Sequence, residues 1–128
     1  MIFVYLVLHL EMAKSILSDT PAMTQAIFAL LYARLGDRDR AFQWFKEAYE
    51  PNLNPPFRVI AETKGGTNPY FATGAGGILQ SVIMGFGGLN ITPDGIVQKK
   101  SVLPEKWKKL TITGVGIDGK TFEVDNKY

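Results

Sequence analysis

The sequence predicts an α+β protein in which a helical segment precedes a small antiparallel β segment. Two observations lead to this prediction. Apolar residues recur every three to four positions over much of residues 1–88, as they do on the buried face of a helix. Beyond residue 88 the pattern changes to short β-prone runs separated by Asp-Gly turns. We therefore expect two parts, residues 1–88 and residues 89–128.

The first predicted helix covers residues 1–17 and begins with an apolar run, which indicates burial between neighbours. A signal peptide carries positive charge before its apolar run and a small-residue cleavage site after it, whereas here Glu11 follows directly. The run is also shorter than the roughly 20 residues that cross a bilayer. We expect neither a signal peptide nor a membrane partner, and we interpret His9 as a core or helix-end histidine. The cellular compartment is left open.

Two helices are predicted next, on either side of a glycine. Thr20 is expected to be the N-cap of the first, with Pro21 at its first position, where the missing N–H has no consequence. An apolar stripe follows and ends at Gly36. The second helix is predicted over Asp37 to Tyr49, because small and aromatic residues recur there at helical spacing until a proline ends it.

Residues 51–77 are rich in proline and glycine and are predicted to form a long irregular connection. Several large apolar residues make it unsuitable as a disordered linker: Phe57, Val59, Ile60, Tyr70 and Phe71. Long connections in compact domains are usually functional or disordered, so we interpret this one as an ordered loop that forms a site. A buried helix is predicted after it, from Ile78 to Phe86, and two glycines end that helix.

The last part of the chain predicts short strands and hairpins. The predicted strands are Leu89–Ile91, Ile96–Gln98, Leu110–Thr113 and Thr121–Val124. Asp94-Gly95 and Asp118-Gly119 are typical of hairpin turns. So few strands leave sheet edges uncovered, and we expect another strand, from this chain or from a second one, to cover them.

The composition excludes several kinds of chemistry. The chain has no cysteine and one histidine, which excludes disulfides, thiol catalysis and histidine or cysteine metal clusters. We therefore predict no metal and no cofactor. The net charge of +2 is spread along most of the chain and does not indicate a nucleic-acid partner. A late group of basic residues is interpreted as solvated: Lys99, Lys100, Lys106, Lys108 and Lys109.

Three stretches of the sequence carry a family resemblance, and the second is the most specific. They are Met23–Ala26 with Arg34–Asp37 and Ala41–Phe42, then Asn68–Gly77 with Gln80–Val82 and Gly85–Leu89, then Leu103–Trp107 with Leu110–Ile112. Together they resemble the C-terminal region of glycoside hydrolase family 65, from about residue 23 to the end. The resemblance implies the last helices of an (α/α)6 barrel, with residues 51–77 as the site loop, followed by a partial jelly-roll-like β cap.

The resemblance also implies an α-glucoside as the carbohydrate partner and inversion of its anomeric centre. Inversion needs a general acid at the leaving oxygen and, on the other face of the sugar, phosphate or a base-activated water. The family's phosphorylases have a Gly-Ile-His element where this chain has Asn68 to Phe71, and the absent histidine weighs against phosphate.

Glu62 is the candidate general base, because it is the carboxylate within the predicted site loop. The residues that follow it are candidate substrate-binding residues: Thr63, Lys64, Gly65, Gly66 and Thr67. An alternative role for Glu62 is a surface ion pair with Lys64 or Arg58.

In the resembling family the general acid lies earlier in the barrel, so this chain lacks it, and other helical glutamates such as Glu11, Glu47 and Glu50 do not match its motif. Loss of general acid–base help costs roughly 10²–10⁴-fold in rate. We therefore expect a C-terminal piece of an α-glucoside hydrolase that is inactive alone. One alternative is a non-catalytic assembly module that oligomerises through exposed helix faces and strand edges. Another is a small anion- or sugar-binding protein that uses residues 65–77.

Overall fold

The computed structural model describes residues 20–126, so the helix predicted over residues 1–17, with His9, lies outside the described part. Residues 20–126 contain three α-helices and six strands: α1 (Ala22–Leu35), α2 (Arg38–Tyr49), α3 (Ala72–Gln80), β1 (Leu53–Asn54), β2 (Val59–Ile60), β3 (Leu89–Thr92), β4 (Gly95–Gln98), β5 (Lys109–Val115) and β6 (Lys120–Asp125). A 3₁₀ turn, Glu50–Asn52, follows α2, and a π-helical segment, Ser81–Phe86, continues α3. None of the described helices combines the length and apolar content that a bilayer crossing requires.

Helices α1 and α2 pack on each other across the turn at Gly36, whose φ of +84° is the left-handed conformation that glycine favours at a helix end. The side chain of Asp37 caps α2 by accepting a hydrogen bond from the backbone N–H of Arg40 at 3.0 Å, as its place at the predicted helix start suggests. The prediction for the start of α1 was wrong by one residue. Pro21, in an extended conformation, is the N-cap, and its carbonyl accepts from the backbone N–H of Thr24.

The core is an aromatic cluster to which both parts of the chain contribute. Phe45 of α2 lies edge-on to Phe86, at the end of the π-helical segment, with ring centroids 5.5 Å apart. Trp107, which precedes β5, contacts both rings, at 5.6 Å from Phe45 and 5.2 Å from Phe86. Leu103, 1% exposed, joins the same cluster. The β segment therefore buries its own residues in the helical core.

Glycines bring α3 and the π-helical segment close to α1. A Cβ placed on Gly77 would lie 2.5 Å from the Sδ of Met23. A Cβ on Gly85 would lie 2.8 Å from the backbone Cα of Leu30, which cannot move aside as a side chain can. A larger residue at Gly85 would therefore force the π-helical segment away from α1, whereas one at Gly77 would displace the Met23 side chain.

The predicted connection over residues 51–77 is shorter and more regular than expected. Strands β1 and β2 pair inside it as an antiparallel hairpin, with Leu53 opposite Ile60. Helix α3 begins at Ala72 rather than at Ile78, so the predicted start was wrong, whereas the predicted end at Phe86 is confirmed by its π-helical continuation. Leu79 and Ile83 are exposed rather than buried, so the prediction of a buried helix was wrong at these two residues. Packing of the glycine-rich first turns on α1 offsets the low helix propensity of glycine.

The predicted strands after residue 88 are confirmed, with ends that differ by one or two residues. The described strands form three two-stranded antiparallel sheets, β1–β2, β3–β4 and β5–β6. The side-chain amide of Gln98 donates to the carbonyl oxygens of Gly87 and Glu123, which joins β4 to β6. The α+β class is confirmed. The (α/α)6 barrel, the jelly-roll-like cap and the division at residue 88 stay predictions.

Candidate functional site

The candidate site residues lie on one tight turn, residues 62–67, called the site turn below. The backbone N–H of Gly66 donates to the carbonyl oxygen of Thr63 at 2.9 Å, which closes the turn. Gly65 has a φ of +69° at the third position, where a type II turn requires a positive φ. A Cβ on Gly66 would lie 2.9 Å from the same Thr63 oxygen. Turn geometry therefore accounts for both glycines.

Two other elements hold the site turn in place. The backbone N–H of Ala22, at the start of α1, donates to the carbonyl oxygen of Glu62 at 2.9 Å. The side-chain amide of Asn54, in β1, donates to the carbonyl oxygen of Gly66 at 2.8 Å. Both ends of the turn are thus fixed to neighbouring structure, so its exposed side chains project from a defined backbone.

Asn52 fixes the segment that leads into the site turn. Its side chain is 2% exposed, and its amide donates to the carbonyl oxygens of Ala48 and Glu47 at 3.1 and 3.4 Å, at the end of α2. The backbone carbonyl oxygen of Asn52 accepts a hydrogen bond from the backbone N–H of Ala61 at 2.7 Å. One buried residue therefore connects the C-terminal end of α2 to the chain just before Glu62.

A polar cleft of ≈ 230 Å³ lies beside the site turn, and Thr63 and Lys64 are among its lining residues. Gln25 of α1 and Glu47 of α2 line it as well. The amide oxygen of Gln25 is buried and has no hydrogen-bond partner among residues 20–126. Such an acceptor is costly, because it gives up its bond to water without gaining another donor.

Glu62 is exposed and is not among the residues that line the cleft, although Thr63 and Lys64 beside it are. Within residues 20–126 its carboxylate forms no ion pair with Arg58 or Lys64, so the alternative surface pair is not observed. Gly65 and Thr67 are exposed and Gly66 is half-buried. The structure therefore brings all six candidate residues together on one surface turn.

Sequence reasoning missed the amide side chains that support the site. Asn52 and Asn54 precede two prolines and resemble ordinary turn residues, and Gln25 lies within a helical pattern. The signal for Asn52 was weak, namely an asparagine directly after the proline that ends a helix. Among the described residues, no group of three histidine, cysteine, aspartate or glutamate side chains is placed to hold a metal ion.

The late lysines are exposed, as their interpretation as solvated residues predicted.

Behind the β1–β2 hairpin, burial and the neighbouring Glu50 carboxylate raise the pKa of the Tyr49 phenol. Tyr49 therefore stays protonated near neutral pH.

Comparison with known proteins identifies relatives of this chain. A kojibiose hydrolase of Flavobacterium johnsoniae is 76% identical over 106 residues, and one of Mucilaginibacter mallensis is 75% identical over 105 residues. Each match covers 82% of this chain and 16% of the relative. A kojibiose phosphorylase of Thermoanaerobacter brockii is 33% identical over 87 residues, 67% of this chain and 10% of that relative. No protein-family model matches the chain.

These relatives are carbohydrate-active enzymes, hydrolases and phosphorylases of a glucoside. The predicted resemblance is confirmed, and the chain matches the C-terminal region of a glycoside hydrolase family 65-like protein. It spans 16% of the length of the two kojibiose hydrolases.

Proposed function

We propose that this chain forms one wall of the sugar site of an α-glucoside hydrolase, with Glu62 as the general base. The main support is an exposed carboxylate on a turn that two neighbouring elements fix in place, next to a polar cleft. The 75–76% identity to kojibiose hydrolases supports an α-glucoside as substrate and kojibiose as the first sugar to test.

In the proposed reaction the Glu62 carboxylate takes a proton from a water molecule as that water attacks the anomeric carbon. The bond between this carbon and the leaving oxygen breaks on the opposite face, which inverts the centre. The leaving oxygen takes a proton from a general acid on another part of the complete enzyme. Thr63, Lys64 and Thr67 would bind sugar hydroxyls, together with the backbone N–H of Gly65, while Gly66 shapes the turn.

We propose that the chain is inactive by itself. Without the general acid, the rate falls by roughly 10²–10⁴-fold, and without the other walls the substrate is not positioned against Glu62. The purified chain should therefore release no glucose from kojibiose, trehalose or maltose, with or without phosphate. Turnover by the isolated chain would contradict this part of the proposal.

A chimera tests the role of Glu62. In this chimera the sequence of this chain replaces the matching segment of the Flavobacterium johnsoniae kojibiose hydrolase. The chimera should hydrolyse kojibiose and release β-glucose first, as NMR of the fresh product would detect. Glu62→Gln should lower kcat by about 10²–10⁴-fold without changing the melting temperature. Glu105→Gln, at an exposed glutamate outside the site turn, is the matched control and should change neither.

Three results would contradict the proposal for Glu62. Activity of the Glu62→Gln chimera equal to that of the control would exclude a catalytic role. Release of α-glucose first would exclude inversion. A rate that requires phosphate would replace water by phosphate as the nucleophile.

A second candidate function is a non-catalytic module that forms homo-oligomers. The observation that favours it is the separation of the described strands into three two-stranded sheets, whose outer edges have no strand partner. Exposed apolar helix residues add to this surface. Sedimentation over a hundredfold dilution should then reveal an oligomer, whereas a monomer that binds no hydrophobic dye would exclude it.

A further inference from the structure

Helix α3 and its π-helical continuation carry apolar residues on two opposite sides. The inner side packs on α1 through Gly77 and Gly85. The other side, called the outer face below, is exposed and consists of Ala72, Ala75, Gly76, Leu79 and Ile83. Leu79 is 63% exposed and Ile83 39%, and it is their place in one apolar patch that is informative. A helix with one exposed side is expected to have a single apolar stripe, so a second apolar side indicates packing against further protein.

Gly76 is the most informative residue of the outer face. A Cβ added there would meet nothing within 4 Å, so packing among the described residues gives no reason for a glycine. The adjacent Gly77 differs, because a Cβ there would lie 2.5 Å from the sulfur of Met23. Since glycine lowers helix stability relative to alanine, its place on an open surface needs another reason. A second polypeptide that approaches the α3 backbone closely would supply one.

The outer face continues into a groove beside the β1–β2 hairpin. The groove measures ≈ 360 Å³, and Ala75 and Leu79 belong both to it and to the outer face. Leu53, Ile60 and Ile78 complete its apolar lining, next to Tyr49 and Arg58. Together they form one continuous apolar surface, and large exposed apolar surfaces mark places where other protein binds.

The relatives indicate what covers this surface. A match over 105 residues of a chain of 128 necessarily includes α3, and it accounts for 16% of the Mucilaginibacter mallensis hydrolase. At 75% identity the same helix is present in that enzyme, where the remainder of a much longer chain is available to pack on it. We propose that the outer face and the groove form an interface with the remaining part of a relative-length hydrolase chain. The interface does not depend on the catalytic role of Glu62.

The test compares one substitution in two settings, the 128-residue chain and the chimera. In the chain, Gly76→Gln fills open space and improves helix propensity, so the melting temperature should rise by roughly 4 °C. In the chimera the same side chain would meet packed protein, and the melting temperature should fall by roughly 2 °C or more. Gly76→Ala is the matched control, since it makes the same gain in propensity with little added volume. It should raise the melting temperature of the chain and lower that of the chimera less than Gly76→Gln does.

Leu79→Lys is the second variant. It should leave the melting temperature of the chain unchanged within roughly 2 °C and lower that of the chimera by more than Gly76→Gln does. If the chain does not melt cooperatively, the chimera alone decides. If Gly76→Gln raises the melting temperature of the chimera and Leu79→Lys leaves it unchanged, the outer face is exposed to solvent. The proposal would then be wrong.

Two further measurements separate this proposal from the others. If the chain sediments as a dimer that Leu79→Lys dissociates, while the chimera tolerates both variants, the occupant is a second copy and the proposal is overturned. Glu62→Gln should leave the melting temperature of the chimera unchanged. Failure of the catalytic proposal would therefore appear as retained activity, and failure of the interface as retained stability.

Discussion

The site turn and the turn of the β5–β6 hairpin use the same local chemistry but are supported differently. Both are exposed, and both place a glycine in the left-handed region, Gly65 with φ +69° and Gly119 with φ +62°. The hairpin turn is closed by its own bond, from the N–H of Gly119 to the carbonyl of Gly116 at 3.3 Å. The site turn also receives donors from α1 and β1. Hydrogen-bond donors from other elements of the fold therefore fix the position of the site turn, whereas the hairpin turn has only its own bond.

The largest effect is expected from Asn52→Ala, which removes the link between α2 and the site turn. Loss of two hydrogen bonds at a fully buried side chain, and the cavity it leaves, should lower the free energy of unfolding by about 2–3 kcal/mol. Denaturant unfolding measures this. Asn68→Ala, at an exposed position of the same connection, is the control and should stay within about 0.5 kcal/mol. Equal effects of the two variants would show that Asn52 does not support the turn.

The two glycines allow a direct comparison between the turns. Gly65→Ala and Gly119→Ala should each cost about 1–2 kcal/mol, because both place a Cβ in the left-handed region. Only the Gly65 variant should also lower kcat of the chimera on kojibiose. If both variants lowered activity alike, the contrast between the two turns would not hold.

A smaller effect is expected from Asn54→Ala, which removes the bond to the carbonyl of Gly66. The loss should be about 1 kcal/mol. Amide hydrogen exchange should accelerate at Gly66 and stay unchanged at Gly119. Unchanged exchange at both sites would mean that Asn54 does not hold the site turn.

The smallest effect concerns the ion pair across the hairpin, Lys109 Nζ to Glu123 Oε1 at 2.8 Å. The hydrogen bond from Lys109 lowers the pKa of Glu123, and the same bond raises the pKa of Lys109. The contribution of Glu123 is therefore present above about pH 4.5 and is lost as pH falls through its lowered pKa. That of Lys109 persists below about pH 10.5 and is lost as pH rises through its raised pKa.

Thermal melts of the chain and of its Glu123→Gln variant between pH 7 and pH 3 test this ion pair. The variant should depend less on pH in the acid range, and 1 M salt should reduce the difference because both side chains are about half exposed. An identical acid dependence of the two proteins would show that the pair does not contribute.

Helix periodicity and turn dipeptides in the sequence predicted the helices and hairpins that form from neighbouring residues. The helix predicted over Asp37 to Tyr49 is confirmed to within one residue, and Asp94-Gly95 and Asp118-Gly119 gave the two later hairpins. The start of α3 was missed because Gly74, Gly76 and Gly77 suggest a loop, and only the packing of Gly74 and Gly77 on α1 shows why a helix forms there. Likewise, the short β1–β2 hairpin has little sequence signal of its own.

The candidate site was predictable only in part. Glu62 was selected as the carboxylate within the predicted site loop, whereas the tight turn that its neighbours form was not predicted. The roles of Asn52, Asn54 and Gln25 were not predictable from the sequence, because each has an ordinary side-chain amide. Only the fold determines which carbonyl oxygens lie next to Asn52 and Asn54, and that the amide oxygen of Gln25 is buried.

The contact of Trp107 with Phe45 and Phe86 constrains how these two parts of the chain can evolve. If the β segment were exchanged between relatives, its Trp107 would have to pack against Phe45 and Phe86 rings inherited from another sequence. Recombination at the junction near residue 88 should therefore succeed only when those rings are inherited together. The cap and the helices should melt as a single cooperative unit.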